Sequence, residues 1–351
     1  TNISLIEITD DTNLPRIDYS PYSGAGSCGH WLFEPQSTNL YLYSEPTANE
    51  GPGFLISYES FIWAIGFTSC VKFGDNSAIR YRYGGTVSAS TEYTLSAFVI
   101  MDDLSEPIIG GQTSDKDFSL VLGGSVVNPN SSVNMGDNIW RVSSTAITSA
   151  SPNVGNSGII KYTEQSNKGF RVVGYQLEQK SFPTSYIPTN GSTVTRLQDA
   201  AFGAGSSDLI NSTEGVLYAE IAALDDGGTN YKVISVSDGT NNNRTQFSLR
   251  LNAIVAYVSV GGSVQYVHTE TVTNILDYHK IALVYKQNDY KLFINGTMVN
   301  SSASGNTFPQ NTLTELSFTD GVSSNFYGKT KCVAVFKEAL TDDELECLTS
   351  D

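Results

Sequence analysis

The segment Arg80-Tyr81-Arg82-Tyr83 brings together two kinds of side chain that bind other molecules. Guanidinium groups carry a fixed positive charge and donate hydrogen bonds, whereas phenol rings offer an apolar face and a hydroxyl. The segment alternates with the period of a β-strand, so Arg80 and Arg82 are predicted on one face and Tyr81 and Tyr83 on the other. We expect one of these faces to meet solvent.

Residues that support the common catalytic mechanisms are scarce. The chain has no G-x-S-x-G, no Walker phosphate loop and no H-E-x-x-H, and its three histidines are too few for a zinc site together with several catalytic bases. Four cysteines without C-x-x-C spacing exclude zinc ribbons and redox motifs. Pairing of Cys28 with Cys70 and of Cys332 with Cys347 stays open, with free buried thiols as the alternative.

The composition is that of an acidic protein. Charged residues are 16% of the 351 residues, the net charge is −16, and no basic patch suits a phosphate backbone. We therefore expect no nucleic-acid partner. No apolar run is long enough to cross a membrane, so no membrane insertion is expected. The chain begins at Thr1 rather than Met, and we expect it to be a piece of a longer product.

Short segments of alternating apolar and polar residues predict an all-β fold class made of two β-sandwich domains in tandem. A chain of this length usually forms more than one domain, and the proline-containing stretch near Pro183 and Pro188 indicates the end of the first. The predicted divisions are an extended lead-in at 1–24, a first domain at 25–188, a linker at 189–208 and a second domain at 209–351.

Two long motifs resemble the tail-fibre-like and other virion-surface proteins of bacteriophages. That family has P-R-x-D-Y-S…G-x-C…L-x-E-P-Q-x-T-N-L…Y-S-E followed by G-x-Q-L-E…T-S-Y-I-P-T…T-R. The matching segments here are Pro15 to Ser20, Gly26 to Cys28, Leu32 to Leu40, Tyr43 to Glu45, Tyr175 to Glu178, Thr184 to Thr189 and Thr195-Arg196. The motifs occur in the family order and bracket the first half of the chain.

This resemblance implies a jelly-roll sandwich like the carbohydrate-binding modules of polysaccharide-degrading enzymes. Such modules stack aromatic rings on a sugar and bond its hydroxyls with arginine, amides or carboxylates. The residues of the first domain that suit this role are Trp63, Arg80, Tyr81, Arg82 and Tyr83. Burial of the aromatic rings between or within the sheets is the structural alternative for each of them.

The second domain resembles the laminin-G-like or concanavalin A-like sandwich. The resemblance rests on His279 to Lys286, followed by Tyr290 to Gly296. Asn295-Gly296 predicts a type I′ hairpin turn, because both residues tolerate a positive φ. Thr341 and Glu344 have the spacing of a capping box and predict a short helix near the chain end.

Calcium is the one cofactor that the sequence leaves open. Laminin-G-like domains often hold Ca²⁺ at a rim of the sandwich through aspartate side chains and carbonyl oxygens, and Asp225 and Asp226 before Gly227-Gly228 provide such oxygens. Aspartates also serve turns, which is the simpler interpretation. No other cofactor is expected.

Catalysis in this architecture needs side chains that the sequence supplies only in part. Hydrolases present closely spaced carboxylates such as E-x-D-x-x-E, which is absent here. Lyases combine arginine, glutamine, histidine and tyrosine on a concave sheet. The residues nearest to that set are Arg250, Tyr257, Gln265, Tyr266 and His268. An ordinary polar sheet face explains them as well.

The resemblances together predict a non-enzymatic protein on the surface of a phage particle, either tail fibre or capsid appendage. Its expected partners are host cell-surface polysaccharide and other virion proteins, and fibres of this kind are commonly homotrimers. A purely structural role in decoration or assembly of the virion is the alternative. A polysaccharide lyase or hydrolase is the third interpretation, because fold resemblance alone does not choose among these functions.

Overall fold

The structure is a computed structural model that describes residues 15–18, 29–48, 50–226, 230–321 and 324–350. These residues form 25 β-strands and one helix. The strands of the first half are β1 (Arg16–Asp18), β2 (His30–Phe33), β3 (Ser37–Asn39), β4 (Gly53–Phe54), β5 (Ser57–Ser60), β6 (Ser69–Phe73), β7 (Arg80–Gly84), β8 (Glu92–Met101), β9 (Ser119–Leu122), β10 (Ser125–Val126), β11 (Asn130–Asn134), β12 (Trp140–Ile147), β13 (Ser157–Lys161), β14 (Phe170–Glu178) and β15 (Val194–Arg196). The elements of the second half are β16 (Glu214–Ala223), β17 (Lys232–Ser237), β18 (Arg244–Arg250), β19 (Ala253–Val260), β20 (Ser263–Thr271), β21 (His279–Lys286), β22 (Tyr290–Ile294), β23 (Thr297–Ser302), β24 (Glu315–Ser317), β25 (Gly328–Phe336) and α1 (Asp342–Thr349).

The chain folds into two compact units, which confirms the predicted all-β class and the presence of two sandwiches. We call residues 36–197 the N-unit. The C-unit consists, among the described residues, of 15–18, 29–35 and 198–350. The chain therefore enters the C-unit, leaves it for the whole N-unit, and returns.

The C-unit is a sandwich of two antiparallel sheets. A seven-stranded sheet has the order β1-β2-β25-β16-β21-β22-β23, and a five-stranded sheet has the order β20-β19-β18-β17-β24. Leu217 and Leu283 of the first sheet share one buried cluster with Phe247 and Ile254 of the second. Burial of this apolar area between the sheets is the main source of stability.

The predicted domain boundaries place β1 and β2 outside the C-unit, and the structure differs. β2 pairs with β25, and Phe33 is fully buried in the C-unit core, where its ring stacks on Phe318 with centroids 4.4 Å apart. The lead-in at 1–24 and the start of the first domain at 25 therefore do not describe β1 and β2. Local sequence does not indicate this pairing, because strand pairing between distant segments leaves no periodicity in either segment.

The N-unit is a second sandwich. Its sheets have the orders β10-β9-β13-β7-β4 and β11-β12-β8-β14-β6-β5, and a two-stranded sheet joins β15 to β3. Leu120 and Ile159 from the five-stranded sheet pack with Leu95, Val99 and Phe170 from the six-stranded sheet. Residues 194–196, predicted as part of the linker, belong to this unit through the pairing of β15 with β3.

Described segments of the two long sequence motifs contact each other inside the N-unit. Asn39 donates to the carbonyl oxygens of Tyr175 and Ile187, at 3.1 and 2.8 Å. The Ser37 hydroxyl donates to the buried Glu178 carboxylate at 2.6 Å. The Pro-containing segment is thus packed into the unit rather than being a connector. The buried side chains of Ser37, Asn39 and Glu178 thus serve the fold.

The hairpin and helix predicted near the chain end are present. Asn295 and Gly296 have φ of 49° and 77°, as a type I′ turn requires. The Thr341 side chain accepts a hydrogen bond from the Glu344 amide and completes a capping box on α1, which packs Leu345 on the seven-stranded sheet. Within the described part of the chain, no helix has the length and apolar character needed to cross a membrane.

Candidate functional site

A stack of three aromatic rings lies on the five-stranded sheet of the N-unit. β4 pairs with β7 so that Phe54 is opposite Tyr81. The Phe54 and Tyr81 ring centroids are 5.8 Å apart with an angle of 20° between the planes, and those of Tyr81 and Tyr83 are 4.6 Å apart with an angle of 17°. Tyr81 and Tyr83 therefore share a face, as the strand alternation predicts.

The accessible end of this ring stack is Phe54. Phe54 is 49% exposed, whereas Tyr83 is 9% exposed and packs with Val121 and Ile160. Burial raises the pKa of the Tyr83 phenol. In a stack, the inner rings have their faces covered by neighbours. The ring face that can meet a sugar is thus that of Phe54, with Tyr81 and Tyr83 as its support.

Gly158 allows the strands under the stack to approach closely. It lies opposite Tyr83 in the pairing of β13 with β7. A Cβ atom at this position would be 2.1 Å from the carbonyl oxygen of Arg82 and 3.1 Å from the Cα of Tyr83. Any side chain at Gly158 would push β7 away and displace the rings.

Arg80 holds the segment that carries Phe54. Its Nη1 donates to the carbonyl oxygen of Leu55 at 2.6 Å, and its Nη2 forms an ion pair with Asp75 at 3.0 Å. Hydrogen bonds from Ser77, more than the Arg80 charge, lower the pKa of Asp75 to about 2. Arg80 is therefore a positioning residue, and the expected direct contact with a glycan is not needed to explain it.

Arg82 points to the other side of β7, as predicted, and lines a cleft of about 200 Å³. Tyr41, Tyr43, Glu50 and Tyr83 are among the other residues that line this cleft. The Arg82 residue is 1% exposed, and its Nη2 donates to the carbonyl oxygen of Glu50. Tyr41 is also buried, which raises the pKa of its phenol. The Arg82 side chain thus sits at the base of a cleft and not on an open sheet face.

Trp63 is not part of this site, which corrects its predicted role in stacking on a sugar. It is 2% exposed, and its indole contacts the rings of Phe61 and Phe67 edge-to-face, with centroids 5.6 and 6.3 Å away. Its Nε1 donates to the carbonyl oxygen of Ser69 at 3.2 Å. Trp63 closes a small core under the 61–68 loop, so its ring faces are already covered.

The described residues do not fit the calcium site predicted at Asp225 and Asp226. The Asp225 carboxylate lies 2.9 Å from the Lys232 ammonium, which supplies the positive charge there. Asp226 is exposed. Within the described ranges no group of three or more acidic, histidine or cysteine side chains is placed to hold a metal ion.

The candidate lyase residues of the C-unit lie on both faces of one sheet. Arg250 and Tyr257 project to the face away from the core, as the pairing of Tyr257 with Gln246 shows. Tyr266 and His268 pair with the core-facing residues Val258 and Ala256. The candidate lyase side chains therefore lie on opposite faces of the sheet and do not converge on one substrate position.

Phe54 is the site residue that sequence reasoning missed. Its strand has only two residues, so no alternation pointed to it. The signal in the sequence was weak: an apolar pair, Phe54-Leu55, directly after the turn residues Gly51-Pro52-Gly53. Both apolar residues are 49% exposed, and the pairing of β4 with β7 gives the exposed ring its place.

Residues 217–346 match the family described as the concanavalin A-like lectin/glucanases superfamily. The C-unit thus contains a segment that is similar to this family. This match confirms the laminin-G-like fold predicted for the second half of the chain. The matched range begins within β16, so it does not include β1 and β2, which complete the concanavalin A-like sheet here.

Three solved structures are similar to about two fifths of the chain, each with a low TM-score. A heptameric SAP-like pentraxin from Limulus polyphemus has a TM-score of 0.35 and 12% identity, covering 42% of this chain and 74% of its own. The CBM40 of the Ruminococcus gnavus IT-sialidase, bound to α2,3-sialyllactose, has a TM-score of 0.35 and 17% identity, covering 43% and 94%. Sheep galectin-11 in complex with glycerol has a TM-score of 0.27 and 12% identity, covering 40% and 100%. Among curated proteins, none matches the chain.

Proposed function

We propose that this protein is a non-enzymatic glycan-binding protein displayed on the surface of a phage particle, where it attaches to host-surface polysaccharide. The observation that carries the glycan-binding role is Phe54, an exposed ring held rigidly at the end of the Phe54–Tyr81–Tyr83 stack. An aromatic face preorganised by stacking suits a pyranose ring, which has an apolar C–H side and hydroxyl edges.

A binding role without catalysis is supported by the carboxylates near the stack. Glycosidases need two carboxyl groups about 5–10 Å apart on either side of the scissile bond. Of the described residues that line the cleft, Glu50 alone has a carboxylate, and that group accepts a hydrogen bond from the Thr47 amide at 3.2 Å. The cleft thus offers material for recognition but no acid and nucleophile pair.

The proposed virion location rests on the two motifs that resemble phage proteins. Display on a particle would also make weak binding at single sites sufficient for attachment. A single exposed ring contributes only modest affinity, but many copies on one particle raise the effective concentration of sites. Homotrimers would add to that effect. Other virion proteins would then be the structural partners, with host polysaccharide as the ligand.

Affinity gels containing a panel of bacterial-envelope and algal polysaccharides, run with and without calcium, test the glycan-binding role. We expect retardation by at least one polymer and no new reducing ends or unsaturated uronates in the same mixtures. Phe54→Ala should weaken binding about tenfold. Phe202→Ala is a matched control, because Phe202 is an exposed phenylalanine, 65% accessible, in the C-unit. Product formation would overturn the non-enzymatic assignment.

The virion location has its own test. Purified protein that occupies receptor glycan should slow adsorption of the corresponding phage to its host, and the Phe54→Ala variant should do so less. Unchanged adsorption at saturating protein would contradict an attachment role.

A structural role in the virion is a second candidate, favoured by the 61–68 loop of the N-unit. Ile62 is 86% exposed and Ile65 39% exposed on this loop, which is an unusual place for isoleucine side chains. An assembly contact would cover them. Failure of every polysaccharide to retard the protein, together with loss of particle incorporation in Ile62→Ser, would favour this role.

A further inference from the structure

The cleft beside the ring stack contains a buried positive charge without a carboxylate partner among the described residues. Arg82 donates from Nη2 to the Glu50 carbonyl oxygen. Its Nε and Nη1 atoms are buried and have no hydrogen-bond partner there. The charge of this guanidinium is therefore left without a counter-charge among the described residues.

An isolated buried guanidinium is unfavourable, because it loses hydration without gaining a counter-charge. The surroundings of Arg82 do little to offset this. Tyr41 makes a polar contact with the guanidinium and Tyr58 lies near enough to feel its charge, but both side chains are phenols and supply no counter-charge. The chain has 36 acidic residues against 20 basic ones, and still none of the described carboxylates pairs with Arg82. An anion that enters the cleft would complete this site.

The size and position of the cleft indicate how much of a ligand it would take. Its volume of about 200 Å³ is smaller than a pocket for a drug-sized molecule, about 300–1,000 Å³, and suits one sugar residue or its substituent. Tyr83 belongs both to the cleft lining and to the ring stack. Arg82 points to the opposite side of β7 from the rings, so the cleft is a subsite separate from the Phe54 ring face.

We propose that this cleft binds the carboxylate of an acidic sugar and that Arg82 determines specificity for it. The proposal rests on the proposed glycan-binding function and names its ligand class. Guanidinium groups form strong charge-assisted hydrogen bonds with carboxylates, and those bonds gain strength in a buried site. Sulfate esters offer similar oxygen acceptors, so the test includes them as a separate ligand.

Binding of the full chain to polygalacturonate and to the same polymer after methyl esterification tests the proposal at constant ionic strength. We expect the acidic polymer to bind at least about tenfold more tightly than the ester. Arg82→Gln should bring the two affinities to within about twofold of each other. Lys286→Gln is the charge-matched control, because Lys286 is exposed in the C-unit, and it should keep the preference.

Equal affinity of the wild-type protein for acid and ester would overturn the proposal, as would an unchanged preference in Arg82→Gln. Tighter binding to a sulfated galactan than to the carboxylated polymer would also contradict it. If Arg82→Gln does not fold, thermal unfolding of the wild-type protein provides the decision. Free glucuronate should then raise Tm where glucose and methyl glucuronate do not. This Tm measurement tests the Arg82 cleft even if no polymer binds. Absence of polymer binding would count against the proposed glycan-binding function and not against the cleft.

Discussion

The side-chain amide of Asn39 donates to the carbonyl oxygen of Ile187 at 2.8 Å, joining two sequence motifs that lie far apart in the chain. The Asn39 Oδ1 atom accepts from the amides of Tyr41 and Leu177, at 3.0 and 3.1 Å. One fully buried side chain thus satisfies backbone groups from both motifs. Asn39 is therefore explained by folding, and binding must be argued from residues outside this network.

Asn39→Ala is expected to destabilise the N-unit by more than about 3 kcal/mol, since each buried backbone group left without a partner costs about 1–3 kcal/mol. Urea unfolding followed by fluorescence measures the change. Asn153→Ala provides the control, because Asn153 is exposed and should change the free energy of unfolding by less than about 0.5 kcal/mol. A loss below 1 kcal/mol in Asn39→Ala would show that the network does not hold the unit together.

Phe33→Ala should destabilise the C-unit by about 3–5 kcal/mol, because it opens a cavity beside Phe318 and Phe326. Ile17→Ala on β1 is the control, since Ile17 is 59% exposed. Calorimetry should show the transition of the C-unit shifted to lower temperature in the first variant only. An unchanged transition in Phe33→Ala would mean that β2 is not needed in this sheet.

Arg80→Gln should weaken glycan binding severalfold with little loss of stability, because it releases the carbonyl oxygen of Leu55 next to Phe54. The effect should appear in the affinity and not in the ligand preference, unlike that of Arg82→Gln. The Asp75 partner has a pKa of about 2, below its ordinary 3.8, so its ion pair with Arg80 stays formed as pH falls and is lost only near pH 2. Wild-type binding should therefore not fall at pH 4 through loss of this pair.

Lys161 should make stability depend on pH in the alkaline range. Burial, the largest cause, lowers the pKa of Lys161 to about 8 from 10.5, and its Nζ donates to the carbonyl oxygens of Asp117 and Ser166. Between pH 8 and 10.5 the native state has lost this proton while the unfolded state retains it. Unfolding then takes up about one proton, so the free energy of unfolding rises with pH across that window.

Comparing urea unfolding of the wild-type protein and Lys161→Met from pH 7 to 10.5 isolates this contribution, because the remaining groups titrate in both. We expect the wild type to gain stability relative to the variant as pH rises. A constant difference between the two proteins across the window would contradict the lowered pKa.

Thiol labelling should distinguish the cysteines. Cys332 and Cys347 are free and exposed, whereas the free thiol of Cys70 is fully buried, and burial raises its pKa to about 11. Iodoacetamide should therefore modify the first two in the native protein and Cys70 only after unfolding. Peptide mass spectrometry gives the labelled positions; rapid native labelling of Cys70 would contradict its burial. Cys28, the other partner considered for Cys70, lies outside the described residues.

Local sequence patterns correctly indicated two strands and one turn of the C-unit. The segments 279–286 and 290–294 and the Asn295-Gly296 turn occur as expected, because alternation and turn preference are properties of neighbouring residues. The apolar run at 61–73 forms a strand only from Ser69 to Phe73, whereas residues 61–68 form a loop closed by Trp63. An apolar run in a sequence does not reveal whether the segment forms a strand within a sheet or a loop that packs against one.

The sequence by itself determined the all-β class, the two sandwiches and the alternation that separates Arg80 and Arg82 from Tyr81 and Tyr83. Only the tertiary structure decided that β2 completes the C-unit, that Phe54 ends the ring stack and that Arg82 is buried in a cleft. The physical reason is that the face of a strand follows from its period of two residues. The neighbours that cover that face come from segments distant in the chain, and their contacts leave no trace in local sequence.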